Sequence, residues 1–436
     1  MLNVFQRIIQ IFKNGEFKNV GVLVGSTATS QMLLVLISPI LTRLYSPNDL
    51  GLFSLITAIT NTMGLLVALR YELAIFAAES DLEAKRIVLI SIFLAISITF
   101  ISCCILYVLT LSEIIHSAIL PVWCIIFIFF STVFYVITFI FRNYFAKSKK
   151  FTIIGKTNLW QSIGRSVLQV AFFPFGALGI LLGDTLGRAF GLLQSVREIQ
   201  LTNLFLNERK NIPILISVFK KFQSFPKFVL PSSLLDILST TIQLPIIIGL
   251  YGLESGGVFG LSQRVVTAPL LLLGAGFADV FHANIAEKVQ NQSSDIMKSF
   301  LNTVKILFLF ALPVFTVLFF FGEDIFGFFF GKKWLLAGKI AEVTSIWMFF
   351  QFLVSPVSRI ILLSDKKYYK FIYDVFSITS TILVPYITHK NGANIIEAMY
   401  WLGIFRSISY VIYFFVIYYL VFDLNRNGQK MKDLLT

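Results

Sequence analysis

The chain has 436 residues, of which 57% are hydrophobic and only 14% are charged, and its mean hydropathy is +0.82. Soluble domains are about 45–50% apolar and about 25% charged, so this composition excludes a soluble globular protein. The 36 Lys and Arg exceed the 23 Asp and Glu by 13, but they are scattered between long apolar runs. No nucleic-acid partner is predicted, because such binding needs basic residues gathered on one face.

Twelve apolar runs, bounded by charges and by Gly or Pro, are long enough for helices across a bilayer about 30 Å thick. The first six are predicted near 20–44, 50–69, 87–111, 120–141, 158–175 and 177–196. The second six are predicted near 228–250, 256–281, 304–321, 340–363, 371–389 and 395–422. We therefore predict an all-α integral membrane protein with about 12 transmembrane helices in two six-helix lobes.

The distribution of basic residues predicts the topology. Arg7, Lys13 and Lys18 precede the first span, and most Lys and Arg between the spans lie on that same side. The positive-inside rule therefore places both termini in the cytoplasm. The exception is the segment 322–339, predicted as an outer loop although it carries three Lys. No short apolar segment with a cleavage site precedes the first span, so no removed signal peptide is predicted.

The longest polar connection, 197–227, lies midway along the chain and predicts an N-terminal lobe 1–206 and a C-terminal lobe 207–436 with a cytoplasmic tail. A shift of 206 residues aligns LYSPNDLGLFSL at 44–55 with LYGLESGGVFGL at 250–261. Since six spans separate the two copies, both enter the membrane from the same side. This is a parallel repeat, a symmetry found in transporters whose halves move about a central site.

Arginines lie inside several predicted spans. Their positions are Arg165, Arg188, Arg264, Arg359 and Arg406. A charged side chain at the bilayer centre costs about 2.5–3.5 kcal/mol on insertion scales, so each is expected to face an internal cavity or a polar partner. For Arg359, near the cytoplasmic end of its span, a side chain that reaches the headgroups is an equally good interpretation.

Acidic residues in the spans are fewer. Asp184 lies four residues before Arg188, a spacing that predicts an ion pair on one helix face, and a purely structural pair is at least as good an interpretation as a transport role. Asp236 lies in a dense stripe of Ser and Thr that predicts a cavity-lining helix. Arg70 and Glu72 end the second span, and because the apolar LAIFAA comes next, we predict that the helix continues and holds both at the inner mouth of the cavity. The alternative is a cytoplasmic helix end.

The cavity is therefore predicted to be cationic, and the planar fork of Arg suits phosphate groups. The predicted anion-binding residues are Arg70, Arg165, Arg188, Arg264 and Arg406. The residues predicted to support them or to couple transport to an ion are Glu72, Asp184 and Asp236.

Other chemistry finds little support in the sequence. There is no Walker A motif, no Gly-rich dinucleotide loop and no HExxH, and the three Cys lie in apolar runs without metal-ligand spacing. Outer loops are short and no Asp-x-Asp occurs, which argues against a membrane polymerase or glycosyltransferase. We therefore predict no catalytic residue, no metal and no bound cofactor, and a protein that is not an enzyme.

The run TRLYSPNDLGLFSL at 42–55, followed by LRYELAIFAA at 69–78, resembles the start of bacterial polysaccharide-biosynthesis transporters. These are the Wzx-type O-antigen flippases of the multidrug/oligosaccharidyl-lipid/polysaccharide exporter superfamily. The plan of twelve spans in two lobes covers nearly the whole chain, whereas specific motif matching is confined to the first two spans.

The resemblance implies a V-shaped central cavity between the lobes and alternating access. Its substrate would be an undecaprenyl-diphosphate-linked oligosaccharide that moves from the inner to the outer leaflet of the bacterial inner membrane. Coupling to an H⁺ or Na⁺ gradient is left open. The implied partners are membrane lipids, a polysaccharide polymerase and a chain-length regulator. The alternative is a cation-coupled multidrug exporter or another lipid exporter of the superfamily, and the excess of Arg over acids speaks against a drug exporter.

Overall fold

The computed structural model describes residues 15–199, 212–270, 295–363 and 368–435, together with scattered positions between 274 and 288. Every regular element within these residues is a helix, which confirms the all-α prediction. They divide into two compact units, Met1–Thr241 and Ile242–Thr436.

The first unit begins with helices that follow the first two apolar runs. A reciprocal hydrogen-bonded cap between Ser46 and Asp49, with Pro47 at the first helical position, fixes the start of α3. The helices of this unit are α1 (Gly15–Leu36), α2 (Ser38–Leu44), α3 (Pro47–Leu66), α4 (Tyr71–Ala74), α5 (Asp81–Leu111), α6 (Cys124–Lys147), α7 (Phe151–Ala171), α8 (Ala177–Ile199), α9 (Ile212–Lys221) and α10 (Leu230–Thr241). Short 3-10 turns at Ile75–Ala77 and Phe173–Phe175 and a π turn at Phe225–Val229 complete it.

The second unit contains longer helices. They are α11 (Gln243–Pro269), α12 (Ile296–Phe330), α13 (Leu335–Val354), α14 (Tyr368–Lys390) and α15 (Ile395–Leu435), with 3-10 turns at Lys332–Trp334 and Ser358–Leu363. Helix α11 is interrupted at Gly252, whose φ of 86° lies in a region that suits glycine.

The predicted lobes 1–206 and 207–436 differ from these units by the segment 207–241. Helices α9 and α10 belong to the first unit because they contact it directly. The ring of Phe219 on α9 stacks on Tyr71 with 5.0 Å between centroids, and the hydroxyls of Thr62 and Thr241 lie 3.0 Å apart.

Within the described residues, eight helical segments are long and apolar enough to cross a membrane. They indicate a multi-pass membrane protein. Helices α7 and α8 are not among the eight, because they carry polar and charged residues such as Arg165 and Asp184. The predicted number of twelve spans therefore stays a prediction.

The segment 322–339 is not the polar loop that the sequence predicted. Helix α12 is kinked at Phe321, whose φ of −126° is not helical, and then resumes to Phe330, because the apolar run continues after the charged pair Glu323 and Asp324. A Cβ at Gly338 would lie 2.5 Å from the Cα of Glu323, so α12 and α13 approach each other closely here. The segment is thus largely a helical hairpin.

Both copies of the repeated motif interrupt a helix. Tyr45 is extended after α2, and α11 breaks at Gly252, beside Tyr251. The hydroxyl of Tyr45 donates to the carbonyl of Gln169 on α7 at 2.6 Å, and the ring of Tyr251 lies 5.0 Å from that of His389 on α14. Since α7 and α14 are the fifth apolar runs of the two halves, the repeated tyrosine contacts the same run in each, as a duplication predicts.

Candidate functional site

A stripe of glycines brings α7 and α8 into backbone contact. The glycines recur every four residues on one face of α8, at Gly179, Gly183, Gly187 and Gly191. A Cβ at Gly183 would lie 2.5 Å from the backbone nitrogen of Gln169, and one at Gly187 would lie 2.4 Å from the Cα of Arg165. Small residues at this spacing allow helix backbones to approach closely in membranes. The helix pair therefore requires glycine at these positions.

Three charged side chains meet between these two helices. The Nε of Arg165 donates to Oδ1 of Asp184 at 2.6 Å, and the Nε of Arg188 donates to Oδ2 at 2.7 Å. The Asp184 side chain is only 5% exposed. One carboxylate thus holds two guanidinium groups, and the cluster, which we call the Arg-Asp-Arg triad, carries one net positive charge.

Arg188 is fixed on two sides. Its side chain is 3% exposed, and its guanidinium carbon lies 5.6 Å from the ring centroid of Tyr135 on α6. Such a cation over an aromatic face adds attraction to the ion pair. Tyr135 in turn packs against α3 at Gly64, where a Cβ would lie 2.3 Å from the tyrosine ring. Arg188 is therefore part of the packed interior.

Arg165 is more accessible, with 16% of its side chain exposed. Its bond to Asp184 uses the Nε–H donor, and a guanidinium has four further N–H donors on its two terminal nitrogens. In the described part of the chain no hydrogen bond engages those terminal nitrogens. Two parallel N–H donors of this kind match the paired oxygens of a phosphate or carboxylate group.

Arg70 lies in a turn between α3 and α4, and Glu72 lies in the short helix α4, so the two are not at the end of a continuous helix. Helix α3 ends at Leu66, and the backbone is left-handed at Leu69 and Arg70, with φ of 50° and 64°. Nη1 of Arg70 lies 3.4 Å from Oε1 of Glu72, whose side chain is 1% exposed. The amide of Asn143 donates to the carbonyl oxygen of Glu72 at 3.2 Å. The prediction that the second span continues through these residues as one helix is therefore wrong.

The remaining predicted site residues lie in the second unit or outside the description. Arg406, on α15, is 8% exposed and donates to the Thr381 hydroxyl on α14 at 2.6 Å. Arg264 lies half-buried on α11, and Arg359 is exposed in the 3-10 turn after α13. The side chain of Asp236 lies outside the described residues. The structure thus brings together the triad and, separately, Arg70 with Glu72.

Two features were missed by the sequence reasoning. The glycine spacing on α8 was visible in the sequence and would have indicated a close helix contact. Asp374, 9% exposed on α14, bonds to Lys370 at 2.6 Å, and their four-residue spacing was the available signal. Among the described residues, no group of His, Cys, Asp and Glu has the arrangement of a metal site.

Comparisons with known proteins show the family and the fold of the chain. The family described as "Polysaccharide biosynthesis protein" matches residues 40–338. The teichuronic acid biosynthesis protein TuaB of Bacillus subtilis (strain 168) is 30% identical over 155 residues, which are 36% of this chain and 32% of that protein. The match therefore spans about a third of the length of that relative.

Solved structures share the fold. The lipid II flippase MurJ in an inward closed conformation has a TM-score of 0.65 at 14% identity, with 94% of this chain and 91% of that chain covered. A MOP superfamily transporter from Pyrococcus furiosus has a TM-score of 0.60 at 15% identity, with coverage of 95% and 98%. At such identities the likeness shows the fold alone, and it confirms the predicted all-α membrane fold class.

Proposed function

The chain belongs to the polysaccharide biosynthesis protein family, and from that premise we propose that it moves a lipid-linked oligosaccharide across a membrane. The observation that carries this proposal is the Arg-Asp-Arg triad, a buried cluster with one net positive charge in a chain rich in apolar helices. A buried cation is costly in such a protein, and an anionic substrate gives it a use.

The proposed substrate is an undecaprenyl-diphosphate-linked O-antigen or a similar oligosaccharide unit. Its diphosphate has the charge and the paired oxygens that guanidinium groups recognise. The polyprenyl tail stays in the bilayer among the membrane lipids, while the headgroup passes through the protein from the inner to the outer leaflet of the bacterial inner membrane. The basic residues on the side of the N-terminal segment favour cytoplasmic termini.

Transport by alternating access would expose the headgroup site first to one side and then to the other. Beside the triad, the arginines proposed to contact the diphosphate along the way are Arg70, Arg264 and Arg406. Arg70 and Arg406 are largely buried. Burying their charge costs free energy unless a ligand or a local partner compensates for it.

An H⁺ or Na⁺ gradient is the proposed energy source. Glu72 is the described acid best suited to coupling. Its side chain is 1% exposed, and its Oε1 lies 3.4 Å from the nearest nitrogen of Arg70, a longer contact than the two that engage Asp184. Asp184 is engaged by two arginines and fits a supporting role better. A polysaccharide polymerase and a chain-length regulator are the proposed partners of the same pathway.

The test is transbilayer movement of a fluorescent polyprenyl-diphosphate oligosaccharide in proteoliposomes. We expect movement above that in empty liposomes, no movement of the same glycan on a neutral polyprenyl alcohol, and faster movement under an H⁺ or Na⁺ gradient. Export of a cationic dye, without movement of the diphosphate lipid, would contradict the proposal and support a drug exporter.

A further inference from the structure

We propose that the three charged residues of the triad have different tasks: Arg165 contacts the diphosphate, whereas Asp184 and Arg188 are positioning residues. Gly187 is a further positioning residue, because it sets where Arg165 lies. This division of roles rests on the proposed function and names the part of the site that recognises the headgroup.

The first argument is accessibility. Arg188 is 3% exposed and is held by Asp184 on one side and by the face of the Tyr135 ring on another. Moving it to a ligand would break both contacts. Arg165 is 16% exposed, and among the described residues its hydrogen bond runs from Nε to Asp184.

The second argument is the geometry of guanidinium. A guanidinium presents two forks, one formed by Nε with a terminal nitrogen and one formed by the two terminal nitrogens. Because Asp184 engages Arg165 through Nε, the fork of the two terminal nitrogens stays complete. Two parallel N–H donors match two oxygens of one phosphate group. A lysine at this position would keep the charge but lose the fork.

The third argument is the close contact at Gly187. A Cβ there would lie 2.4 Å from both the backbone nitrogen and the Cα of Arg165, and 2.5 Å from its Cγ. A single methyl group would therefore displace the arginine without removing any charge. Gly249 on α11 is the matched control, since no heavy atom lies within 4 Å of a Cβ built there.

The experiment measures the affinity of the purified full-length protein for farnesyl diphosphate and, in parallel, for farnesol. We expect the wild type to prefer the diphosphate. Arg165→Ala and Arg165→Lys should each weaken diphosphate binding by about 10- to 100-fold, the range for a charge-assisted hydrogen bond. Arg188→Lys should weaken diphosphate binding by clearly less than Arg165→Lys does, because it preserves the positive charge beside Asp184.

Gly187→Ala should weaken diphosphate binding about tenfold in the wild-type background and should add no loss in the Arg165→Ala background. A packing defect unrelated to Arg165 would weaken binding equally in both backgrounds. Arg197→Ala, at the exposed end of α8, and Gly249→Ala should match the wild type. Thermal unfolding of each variant identifies any that are not folded.

An equal loss for Arg188→Lys and Arg165→Lys would overturn the division of roles, since both arginines would then be binding phosphate through their forks. A loss for Gly187→Ala that persists without Arg165 would overturn the assignment of Gly187. If the wild type bound farnesol as tightly as the diphosphate, the proposed function itself would fail, and the inference with it.

Discussion

The pair α7 and α8 in the first unit and the pair α14 and α15 in the second correspond to the fifth and sixth apolar runs of the two halves, yet they hold their arginines differently. In the first unit, two arginines share the carboxylate of Asp184. In the second, Arg406 donates to the hydroxyl of Thr381. The acceptor described in the first pair is a carboxylate, and the one described in the second pair is a neutral hydroxyl.

The two helix pairs also differ in where their glycines face. Four glycines of α8 face α7. The glycine of α15 in this region, Gly403, faces α13 instead, and a Cβ built on it would lie 3.1 Å from the ring of Trp347. The comparison indicates that two helices at corresponding positions in the two halves do not both form a charged cluster. In the first unit the cluster lies where the glycine stripe of α8 lets the two backbones approach closely.

The largest expected effect comes from removing the shared carboxylate. Asp184→Ala leaves two buried guanidinium groups without their acceptor, and we expect a loss of about 3–5 kcal/mol in the free energy of unfolding. Unfolding in detergent measures this loss, with Glu198→Ala at the exposed end of α8 as control. Stability equal to that of the control would mean that the triad is not a buried ion cluster.

The glycine stripe gives the second effect. Gly183→Ala places a methyl group 2.5 Å from the backbone nitrogen of Gln169, which cannot rotate away as a side chain could. We expect a loss of about 1–3 kcal/mol from overpacking, measured by thermal unfolding. Gly249→Ala, in open space, should be nearly neutral. An unchanged Gly183→Ala variant would show that α7 and α8 do not touch here.

In the second unit, Thr381→Val tests the neutral acceptor. The variant keeps the shape of the side chain but removes one hydrogen bond from Arg406, so we expect a loss of about 1–2 kcal/mol in the same unfolding assay. This is smaller than the loss for Asp184→Ala because Thr381 is neutral, so its replacement removes a hydrogen bond and no carboxylate. Equal losses for the two variants would remove the distinction between the helix pairs.

The smallest effect concerns the repeated tyrosine. Tyr45→Phe removes the buried hydrogen bond to the carbonyl of Gln169, and we expect a loss of about 0.5–1.5 kcal/mol by unfolding. The exposed Tyr386→Phe on α14 serves as control. A Tyr45→Phe variant as stable as this control would argue against a structural role for the repeated residue in the first half.

The sequence predicted what depends on local spacing. The apolar runs gave the helical membrane fold, and the interval of four between Asp184 and Arg188 gave their ion pair. The third member, Arg165, lies on another helix across a turn. Its contact depends on the register between α7 and α8, which hydropathy does not encode.

Local apolar continuity misled the prediction at Arg70. The residues after it are as apolar as a helix interior, but the chain turns left-handed at Leu69 and Arg70 before it resumes. Tyr71 then stacks on Phe219 and donates to its carbonyl at 2.9 Å. This contact joins residues far apart in sequence, and no short-range pattern predicts it.

The most direct test of the central claim is the rate of polyprenyl-diphosphate oligosaccharide movement in proteoliposomes containing the Arg165→Ala/Arg264→Ala double variant. Wild type and Arg197→Ala, reconstituted at equal density, serve as references. We predict that the double variant loses movement while both references retain it. Movement at the wild-type rate in the double variant would contradict the claim that these arginines carry the anionic headgroup.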